Sequence, residues 1–302
     1  NTGRPWRVWS GLAQVGHEDA VRVEDGFLRS KGLGAALVPP LSLVCDDLGI
    51  YYDPSRPSRL EKWIETRAQM RPDQTARARA LITALTKAGL SKYNIGAASQ
   101  LGDAPVQKRI LVPGQVADDA SVRLGTQDVG DNLTLLQAAR AANPDAFLIY
   151  KPHPDVEAGL RDGAIDAADL ADHIASGADP ADLLGQVDEV WTMTSLLGFE
   201  ALLRGVPVVT FGAPFYAGWG LSDDRGDVPP RRRVDVPLEG LVHAVLIDYP
   251  RYFDPQTGLP CPVEVIVDRL ISGEVSAPGL GLRILSKLQG LMASRAHLWR
   301  GR

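Results

Sequence analysis

The sequence LVPGQVADDAS at Leu111–Ser121 and the sequence LIYKPHPDV at Leu148–Val156 share one pattern. Each begins with a short apolar run that predicts a buried strand, and each turns polar at a proline or glycine. The polar side chains therefore follow the carboxyl end of a strand, which is where open α/β sheets bind ligands. A helix-sized gap separates the two segments, as in a βαβ unit. The pair predicts a parallel sheet with a ligand site at its edge.

Strand and helix patterns alternate through the rest of the second half, which favours right-handed βαβ units and an α/β fold. The predicted strands there are Ile110–Val112, Phe147–Tyr150, Val190–Met193 and Pro207–Phe211, and the predicted helices are Leu133–Ala142, Leu196–Arg204, Leu238–Leu246 and Val263–Ile271. In the first half the predicted elements are strands at Trp6–Trp9, Val21–Val23, Leu41–Val44 and Ile50–Tyr52, a helix capped by Ser58 and a helix at Asp73–Ala88.

A polar, glycine-containing segment at Ser91–Asp103 is the predicted linker between two domains. The predicted division is an N-terminal domain at 1–103, a C-terminal domain at 104–271 and a tail at 272–302. From Val275 onward the tail has no acidic residue, five basic residues and apolar residues at helical spacing, which predicts a basic amphipathic helix. This helix either lies on an anionic membrane surface or docks on the body of the protein, and both interpretations stay open.

Composition narrows the class of function. Hydrophobic residues make up 45% and charged residues 23% of the 302-residue chain, which is typical of a globular protein in water. The net charge of −5 gives no basic face for nucleic acid. Two cysteines without C-x-x-C spacing indicate a reducing compartment, and the sequence has no D-x-D, H-E-x-x-H or Cys/His cluster, so no metal is predicted. The first residue, Asn1, is not a methionine, which favours a piece excised from a longer protein over a naturally short one, and both interpretations stay open.

Thr194 and Ser195 directly precede the predicted helix Leu196–Arg204. Free backbone N–H groups and the helix dipole attract anions there, so both hydroxyls are candidate phosphate ligands, with an ordinary N-cap as the alternative. Glu200 lies on the same helix among Leu, Phe and Ala, where a carboxylate is costly unless it is paired or bound. A ribose diol is a suitable partner for this carboxylate.

His153 follows Lys151 at a strand end and lies between Pro152 and Pro154. The two prolines stiffen the loop and lower the entropy cost of holding the imidazole in place. A fixed histidine beside a lysine can neutralise a departing phosphate, by charge or by proton donation. The alternative is a hydrogen-bonded loop histidine without a role in chemistry.

Acidic pairs follow several predicted strands, and most such pairs are solvated turn residues. The pair Asp118/Asp119 stands out, because the Pro-Gly-Gln sequence that ends at Gln115 precedes it after a buried strand. A carboxylate on one side of a site and a His and Lys on the other suit a group-transfer enzyme. Glu24 and Asp25 form another such pair, after the predicted strand Val21–Val23.

The loop at Gly212–Asp224 is rich in glycine and aromatic residues. Phe215, Tyr216 and Trp219 form either a stacking wall for a sugar or base, or a hydrophobic plug between the domains. The sequence alone favours neither interpretation.

Taken together, these motifs resemble the KpsC-type capsular polysaccharide proteins. The similarity extends from about Arg22 to Leu270, and it rests on the segments VEDGFLRSKGLG (23–34), PPLSLVCDDLGIYYD (39–53), PGQVADDAS (113–121), YKPHPDV (150–156), TMTSLLGFEALLRGVPVVTFGAPFYAGWGLSDD (192–224) and YPRYFDP (249–255). The resemblance implies a GT-B fold, in which two Rossmann-like domains face each other across a cleft. It also implies a retaining β-Kdo transferase (Kdo is 3-deoxy-manno-octulosonic acid) with CMP-β-Kdo as donor. Members usually carry two transferase modules in tandem, and this chain resembles the C-terminal one.

The resemblance also implies roles for individual residues. His153 and Pro154 match the His-Pro element that holds the CMP phosphate, and Asp119 matches the carboxylate nucleophile of a double displacement. Glu24 and Asp25 match an acidic pair of the N-terminal domain, with Glu24 the candidate acid/base for the acceptor hydroxyl. The other expected donor-binding residues are Gln115, Lys151, Thr194, Ser195 and Glu200, while Arg29 and Lys151 are candidates for the donor's carboxylate. Neither a metal nor another cofactor is expected.

The implied acceptor is a lipid-linked glycolipid that ends in Kdo, and the implied partners are other capsule assembly proteins. The implied location is the cytoplasm, with peripheral contact to the inner membrane of a Gram-negative cell if the C-terminal helix binds lipid. Two alternatives stay open. A CDP-glycerol-type phosphotransferase also releases CMP and suits a His-Pro loop. A non-catalytic module would bind acceptor or assembly partners through the C-terminal helix.

Overall fold

The computed structural model describes residues 6–10, 20–32, 38–98, 101 and 107–275. The first of its two sheets has five strands in the spatial order β1 (Arg7–Trp9), β2 (Val21–Asp25), β3 (Ser42–Asp46), β10 (Pro250–Phe253) and β11 (Pro260–Cys261). β1 and β2 are parallel, and the other neighbouring strands are antiparallel. The first half of the molecule is therefore built on a mixed sheet.

The second sheet is parallel throughout, with six strands in the spatial order β6 (His173–Ile174), β5 (Phe147–Lys151), β4 (Arg109–Pro113), β7 (Glu189–Thr192), β8 (Val208–Thr210) and β9 (Asp223–Asp224). Numbered along the chain, this order is 3-2-1-4-5-6, that of a doubly wound sheet. Leu111 of the central strand β4 lies opposite Ile149 of β5 and Val190 of β7. The order reverses between β4 and β7, and such a reversal leaves a crevice beyond the carboxyl ends of the strands.

Both faces of the parallel sheet are covered, which explains why β4 is apolar at successive positions. Ile110 and Val112 belong to a core cluster that includes residues of α4 (Asn132–Ala142). Leu111 belongs to a second cluster, shared with α7 (Leu196–Leu203) and with residues of the first sheet. All three side chains are fully buried, and each such burial stabilises the fold by roughly 1.5–3 kcal/mol. The second cluster joins the two halves through one continuous core.

Local signals determine where the helices of the first half begin and end. α1 (Arg59–Thr66) begins after Ser58, whose Oγ accepts a hydrogen bond of 3.1 Å from the N–H of Glu61. α2 (Pro72–Lys87) starts with proline and is followed by Gly89, where φ is +61°. The remaining helices are α3 (Ala120–Gly125), α5 (Pro154–Glu157), α6 (Pro180–Leu184), α8 (Leu238–Val242) with its continuation as a π-helix (His243–Asp248), and α9 (Val263–Ser272).

The predicted strand at Ile50–Tyr52 is wrong, because these residues lie in a turn. Asp46 Oδ1 accepts hydrogen bonds of 2.9 Å from the N–H groups of Leu48 and Gly49, and these bonds turn the chain directly after β3. Ile50 is nevertheless buried in the core. The apolar run therefore reflects the burial of a turn and not a strand.

Near its end the chain returns to the first sheet. β10 pairs antiparallel with β3, with Arg251 opposite Leu43, and β11 adds to the far edge of β10. Both strands lie in the range 104–271 that the sequence assigns to the C-terminal domain, and they complete the sheet that contains β1, β2 and β3. Pairing between residues so far apart in the chain leaves no local pattern from which to predict it. The boundary at 103/104 and the other domain limits stay predictions.

The α/β fold class predicted from the sequence is confirmed by the two sheets and their helices. The predicted amphipathic tail helix lies outside the described residues, apart from its first residues at the end of α9 and just after it. Within the described ranges, no helix is both long and apolar enough to cross a membrane.

Candidate active site

A cleft of about 580 Å³ lies beyond the carboxyl ends of β4, β5 and β7. Its opposite wall comes from the end of β2 and from the segment Ser91–Ile95. Ten of the residues to which the sequence assigns a role in the site line the cleft: Glu24, Asp25, Gln115, Asp119, Lys151, His153, Pro154, Thr194, Ser195 and Glu200. The fold thus gathers four strand ends around one cavity, although proximity alone does not assign a role to any of these residues.

Asp119 and Asp118 have different surroundings. Asp119 caps α3, and its Oδ1 accepts hydrogen bonds from the Ser121 N–H at 2.8 Å and from the Ser121 hydroxyl at 2.7 Å. Among the described residues, none donates a hydrogen bond to Asp119 Oδ2. The side chain of Asp118 is 65% exposed and pairs with Arg161, at 2.5 Å between Oδ1 and Nη2. Only Asp119 of the two lines the cleft.

Glu24 faces the same cavity from the end of β2. Burial raises the pKa of Glu24 above its ordinary value, against the lowering effect of the Asp25 N–H, which donates to Oε1 at 3.0 Å. The negative charges of Asp25 and Asp119 raise this pKa further, and the charge of Lys92 lowers it. A carboxyl group with a raised pKa near a second carboxylate is the arrangement that separates acid and base roles.

Asp25 is held by Arg29, whose Nε donates to Asp25 Oδ2. Arg29 Nη1 also donates to Ser30 Oγ at 3.0 Å and to the carbonyl oxygen of Val38 at 2.9 Å. Arg29 is buried and lines the cleft, but these bonds engage its guanidinium within the protein. They favour a role in fixing Asp25, and they add no support for the predicted role toward a donor carboxylate.

His153 caps the short helix α5, where its Nδ1 accepts a hydrogen bond of 3.1 Å from the Asp155 N–H. Because Nδ1 is the acceptor, the neutral ring carries its proton on Nε2. Burial lowers the pKa of His153 to about 4, with further lowering by the charges of Lys92 and Lys151. In the free protein at neutral pH, His153 is therefore an uncharged N–H donor. Pro154 follows as the first residue of α5, where its missing N–H has no cost.

Lys151 is the last residue of β5 and is almost fully buried. Burial lowers its pKa, whereas the charges of Glu157, Asp179 and Glu200 raise it. Its Nζ lies 3.4 Å from the carbonyl oxygen of Pro152, and it forms no ion pair with a carboxylate of the described residues. A buried ammonium group without a carboxylate partner is well suited to bind an anion.

Two further cations line the cleft, Lys92 and Arg161, and neither was predicted from the sequence. Burial alone would lower the pKa of Lys92, but the neighbouring Tyr93 and two carboxylates raise it above its ordinary value. Its Nζ lies 5.1 Å from the centre of the Tyr93 ring. Lys92 falls within the predicted linker and Arg161 within irregular sequence, so no strand end or motif marks either one.

Gln115 and Thr194 bind each other across the reversal of strand order. The Nε2 of Gln115 donates to Thr194 Oγ1 at 2.9 Å, and the N–H of Thr194 donates to Gln115 Oε1 at 3.0 Å. Gln115 follows β4 and Thr194 follows β7, so the pair connects the two strand ends that flank the crevice. Both side chains line the cleft, but much of their hydrogen-bonding capacity is used within the protein.

Ser195 caps α7, with its Oγ accepting a hydrogen bond of 3.2 Å from the Leu197 N–H. The expected cap is thus present, and the hydroxyl also borders the cleft. Glu200 is buried one turn further along α7, where its Oε1 accepts a hydrogen bond of 2.8 Å from the Lys92 N–H. Burial raises the pKa of Glu200 to about 7, partly offset by that hydrogen bond.

The aromatic loop forms a hydrophobic plug. Tyr216 and Trp219 are almost fully buried; the Tyr216 hydroxyl donates to the Ser195 carbonyl at 2.6 Å, and Trp219 Nε1 donates to the Phe215 carbonyl at 2.9 Å. Phe215 alone of the three borders the cleft. The stacking-wall interpretation is therefore wrong for Tyr216 and Trp219, because the core of the molecule encloses both rings.

Comparison with known proteins identifies the family. The sequence model described as "Capsule polysaccharide biosynthesis protein" matches residues 12–99 and 89–252. The chain belongs to the capsule polysaccharide biosynthesis protein family. Relatives of this capsule-family chain include the capsule polysaccharide modification protein LipA of Neisseria meningitidis serogroup B, 47% identical over 264 residues that make up 86% of the chain and 37% of LipA. The lipopolysaccharide-processing protein LpsZ of Rhizobium meliloti is 46% identical over 80% of the chain and 56% of LpsZ. The chain thus spans less than two thirds of either relative.

Two solved structures share the fold of this family member, and they confirm the resemblance to KpsC-type proteins. The β-Kdo 2,4 transferase of Thermosulfurimonas dismutans KpsC is 38% identical with a TM-score of 0.78, covering 84% of this chain and 79% of that one. The β-Kdo 2,7 transferase of the same KpsC is 35% identical with a TM-score of 0.72, covering 89% and 84%.

The cleft of this capsule-family chain has two chemical characters. Lys151, His153 and Lys92 offer cations and an N–H donor to an anion, while Asp119 and Glu24 offer two carboxyl groups in different environments. Among the described residues, no group of three or more His, Cys, Asp or Glu side chains is arranged to hold a metal ion. The arrangement can stabilise an anionic leaving group and supply both a nucleophile and a base within one cleft.

Proposed function

We propose that this chain is a retaining glycosyltransferase that moves Kdo from CMP-β-Kdo to a lipid-linked acceptor ending in Kdo, during capsule biosynthesis. One observation carries the proposal. Asp119 and Glu24 share a cleft with Lys151 and His153, in a chain 35–38% identical in sequence and alike in fold to two proteins named as β-Kdo transferases. The chain spans only part of its curated relatives, so the proposal concerns the reaction of this cleft.

The first step is attack by Asp119 on the anomeric carbon of the donor. A bond forms between a carboxylate oxygen of Asp119 and that carbon, the bond from the carbon to the phosphate oxygen breaks, and its electron pair leaves with CMP. Oδ2 is the attacking oxygen, because Oδ1 already accepts two hydrogen bonds from Ser121. Asp118 is not suited to the role, because its exposed carboxylate pairs with Arg161 and does not itself line the cleft.

Lys151 and His153 stabilise the departing CMP phosphate. The buried ammonium of Lys151 supplies charge, and the neutral ring of His153 donates its Nε2–H to a phosphate oxygen. CMP leaves as a single phosphate, so these groups replace the metal that diphosphate leaving groups often need. The ribose lies at Glu200, where one carboxylate oxygen already accepts the Lys92 N–H and the other is available to a hydroxyl.

In the second step the acceptor hydroxyl attacks the same carbon from the opposite side. Glu24 takes the hydroxyl proton, the bond to Asp119 breaks, and the carboxylate is released. Two inversions give net retention of the β configuration. The raised pKa of Glu24 supports this role, because it makes the carboxylate a stronger base.

The proposed setting is the cytoplasmic face of the inner membrane, together with other capsule assembly proteins. A nucleotide-sugar donor and an acceptor carried on a lipid meet at that surface. The proposal includes peripheral contact of the basic C-terminal tail with that membrane. It includes no nucleic-acid partner and no resident cofactor.

The direct test is an assay with CMP-β-Kdo and a synthetic acceptor that ends in Kdo. We expect a product heavier by one Kdo residue, with the new linkage in the β configuration by NMR. Asp119→Asn should abolish transfer, whereas the matched variant Asp118→Asn should retain it, because Asp118 lies outside the cleft lining. An inverted linkage, or turnover of CDP-glycerol and not of CMP-β-Kdo, would contradict the proposal.

A further inference from the structure

A directed chain of hydrogen bonds ends on Asp119. Gln115 Nε2 donates to Thr194 Oγ1 at 2.9 Å, Thr194 Oγ1 donates to Ser121 Oγ at 3.3 Å, and Ser121 Oγ donates to Asp119 Oδ1 at 2.7 Å. We infer that Gln115, Thr194 and Ser121 are positioning residues that hold the Asp119 carboxylate for attack, an inference that rests on the proposed function. Gln115 and Thr194 then act through Asp119, and not as the donor ligands that the sequence predicts.

The hydroxyl of Thr194 has a fixed direction. Its methyl group packs against two glycines, since a Cβ built on Gly125 would lie 2.9 Å from Thr194 Cγ2 and one built on Gly212 would lie 2.8 Å from it. Neither glycine can carry a side chain without displacing that methyl group. A backbone hydrogen bond holds the two glycine segments together: the N–H of Ala213, which follows Gly212, donates to the Gly125 carbonyl oxygen at 2.8 Å. With the methyl group wedged there, Oγ1 is held toward Gln115 and Ser121.

Gln115 is anchored through its backbone as well as its side chain. Its N–H donates to Asn132 Oδ1 at 2.8 Å, and its carbonyl oxygen accepts from Asn132 Nδ2 at 2.8 Å. Asn132 Nδ2 also donates to the Gly163 carbonyl at 2.8 Å. Gln115, the first donor of the hydrogen-bonded series, is therefore fixed to the first residue of α4, and its backbone cannot move when a ligand binds.

These contacts fix one oxygen of Asp119 and leave the other available. Oδ1 accepts both the N–H and the hydroxyl of Ser121, so rotation of the carboxylate would break two bonds at once. Hydrogen bonds in such a series polarise one another. The series therefore stabilises this orientation of the Asp119 carboxylate more than the same bonds would as isolated pairs. The hydrogen-bonded series runs from the end of β4 to the end of β7. It therefore fixes the position of the nucleophile in the crevice in which the donor would bind.

The test compares Thr194→Val with Thr194→Ser. Valine keeps the shape and methyl contact but removes the hydroxyl, whereas serine keeps the hydroxyl. For Thr194→Val we expect covalent Kdo transfer to Asp119 at saturating CMP-β-Kdo to slow by roughly 10–100-fold, since small misplacements of a reacting group cost that much. The dissociation constant for CMP should stay within about 2-fold, because no donor contact is lost. Thr194→Ser keeps the hydroxyl but loses the methyl group that directs it, so its rate should lie between those of Thr194→Val and wild type.

Two further variants keep the test informative if Thr194→Val does not fold: Ser121→Ala, which breaks the same series of bonds, and Thr210→Val, which is a control. Ser121→Ala removes the last bond of the chain and should slow the same step, and the double variant with Thr194→Val should be no slower than Ser121→Ala alone. Thr210→Val is the control. It removes another buried threonine hydroxyl, which donates to Asp224 at 2.9 Å and takes no part in the hydrogen bonds that lead to Asp119, so the rate should stay unchanged.

The outcomes separate this inference from the proposed function. A wild-type adduct on Asp119 that forms equally fast in Thr194→Val and Ser121→Ala would overturn the positioning role alone. A weaker CMP affinity in Thr194→Val with an unchanged rate at saturation would overturn it in favour of direct donor contact. Failure of the wild-type protein to form an adduct on Asp119 would overturn both proposals together.

Discussion

The carboxylate of Glu200 accepts a hydrogen bond of 2.8 Å from the backbone N–H of Lys92, and this contact joins the two walls of the cleft. Glu200 belongs to α7 of the parallel-sheet half. The carbonyl oxygen of Lys92 in turn accepts the N–H groups of Arg29 and Ser30, which follow β2 of the first sheet. The carboxylate that would bind the donor's ribose therefore also connects the segments that carry the two sets of proposed catalytic residues.

Glu200→Gln should remove a pH-dependent loss of stability. The pKa of Glu200 is about 7 in the folded protein against 4.5 for an ordinary glutamate, so between these values the folded state binds more protons than the unfolded state. Stability then falls as pH rises through this window, by at most about 3 kcal/mol. Glutamine keeps the acceptor for the Lys92 N–H but does not titrate.

Urea denaturation at pH 5, 6, 7 and 8 measures this difference. The free energy of unfolding of Glu200→Gln relative to wild type should increase with pH across the series. Glu65→Gln is the matched control for the substitution itself, because Glu65 is an exposed glutamate on α1 outside the cleft lining. Parallel pH dependences for wild type and Glu200→Gln would contradict the assignment.

His153 should be a neutral Nε2–H tautomer at pH 6. Its Nδ1 accepts the Asp155 N–H, and burial lowers its pKa to about 4. In ¹⁵N NMR spectra its titration midpoint should lie near pH 4 in the free protein and move upward when CMP binds, because the phosphate favours the charged ring. His173, whose side chain does not line the cleft, serves as the internal reference signal. A midpoint near 6.5 in the free protein would mean that burial does not control this ring.

Glu24→Gln should change the pH dependence of transfer and not only its rate. As a general base Glu24 must be ionised, and its raised pKa moves the acidic limb of the pH–rate profile toward higher pH. Below that limb the wild-type rate falls as Glu24 becomes protonated. The variant should be slower by roughly 10²–10⁴-fold, the usual contribution of such a group, and should lack this limb. An unchanged limb in Glu24→Gln would assign the base to another residue.

Much of the fold follows from signals that are local in the sequence. Ser58 marks the start of α1, Gly89 marks the end of α2, and the apolar run before Pro113 marks the central strand of the parallel sheet. Asp119 and His153 could be predicted as site residues from a local signal too. Both follow a buried strand, and polar residues at such strand ends converge in a doubly wound sheet.

The remaining features depend on contacts between distant parts of the chain. β10 joins the first sheet by pairing with β3, and the short strands of the sheet edges have too few residues for a visible pattern. Lys92 lies in a segment whose sequence predicts a polar linker, and its backbone bonds to Glu200, Arg29 and Ser30 connect residues far from it in the chain. The bonds between Gln115 and Thr194 likewise form only once β4 and β7 lie side by side.

The central claim is that Asp119 forms a covalent bond to Kdo. Its most direct test is intact-protein mass spectrometry after incubation with freshly made CMP-β-Kdo and no acceptor, followed by peptide mapping. A covalent Kdo–Asp119 intermediate should give a mass increase of one Kdo residue on the peptide that contains Asp119. The increase should be absent in Asp119→Ala and should be lost when acceptor is added. CMP release that requires acceptor, with no adduct at any time, would contradict the double displacement, as would an adduct that maps to Glu24.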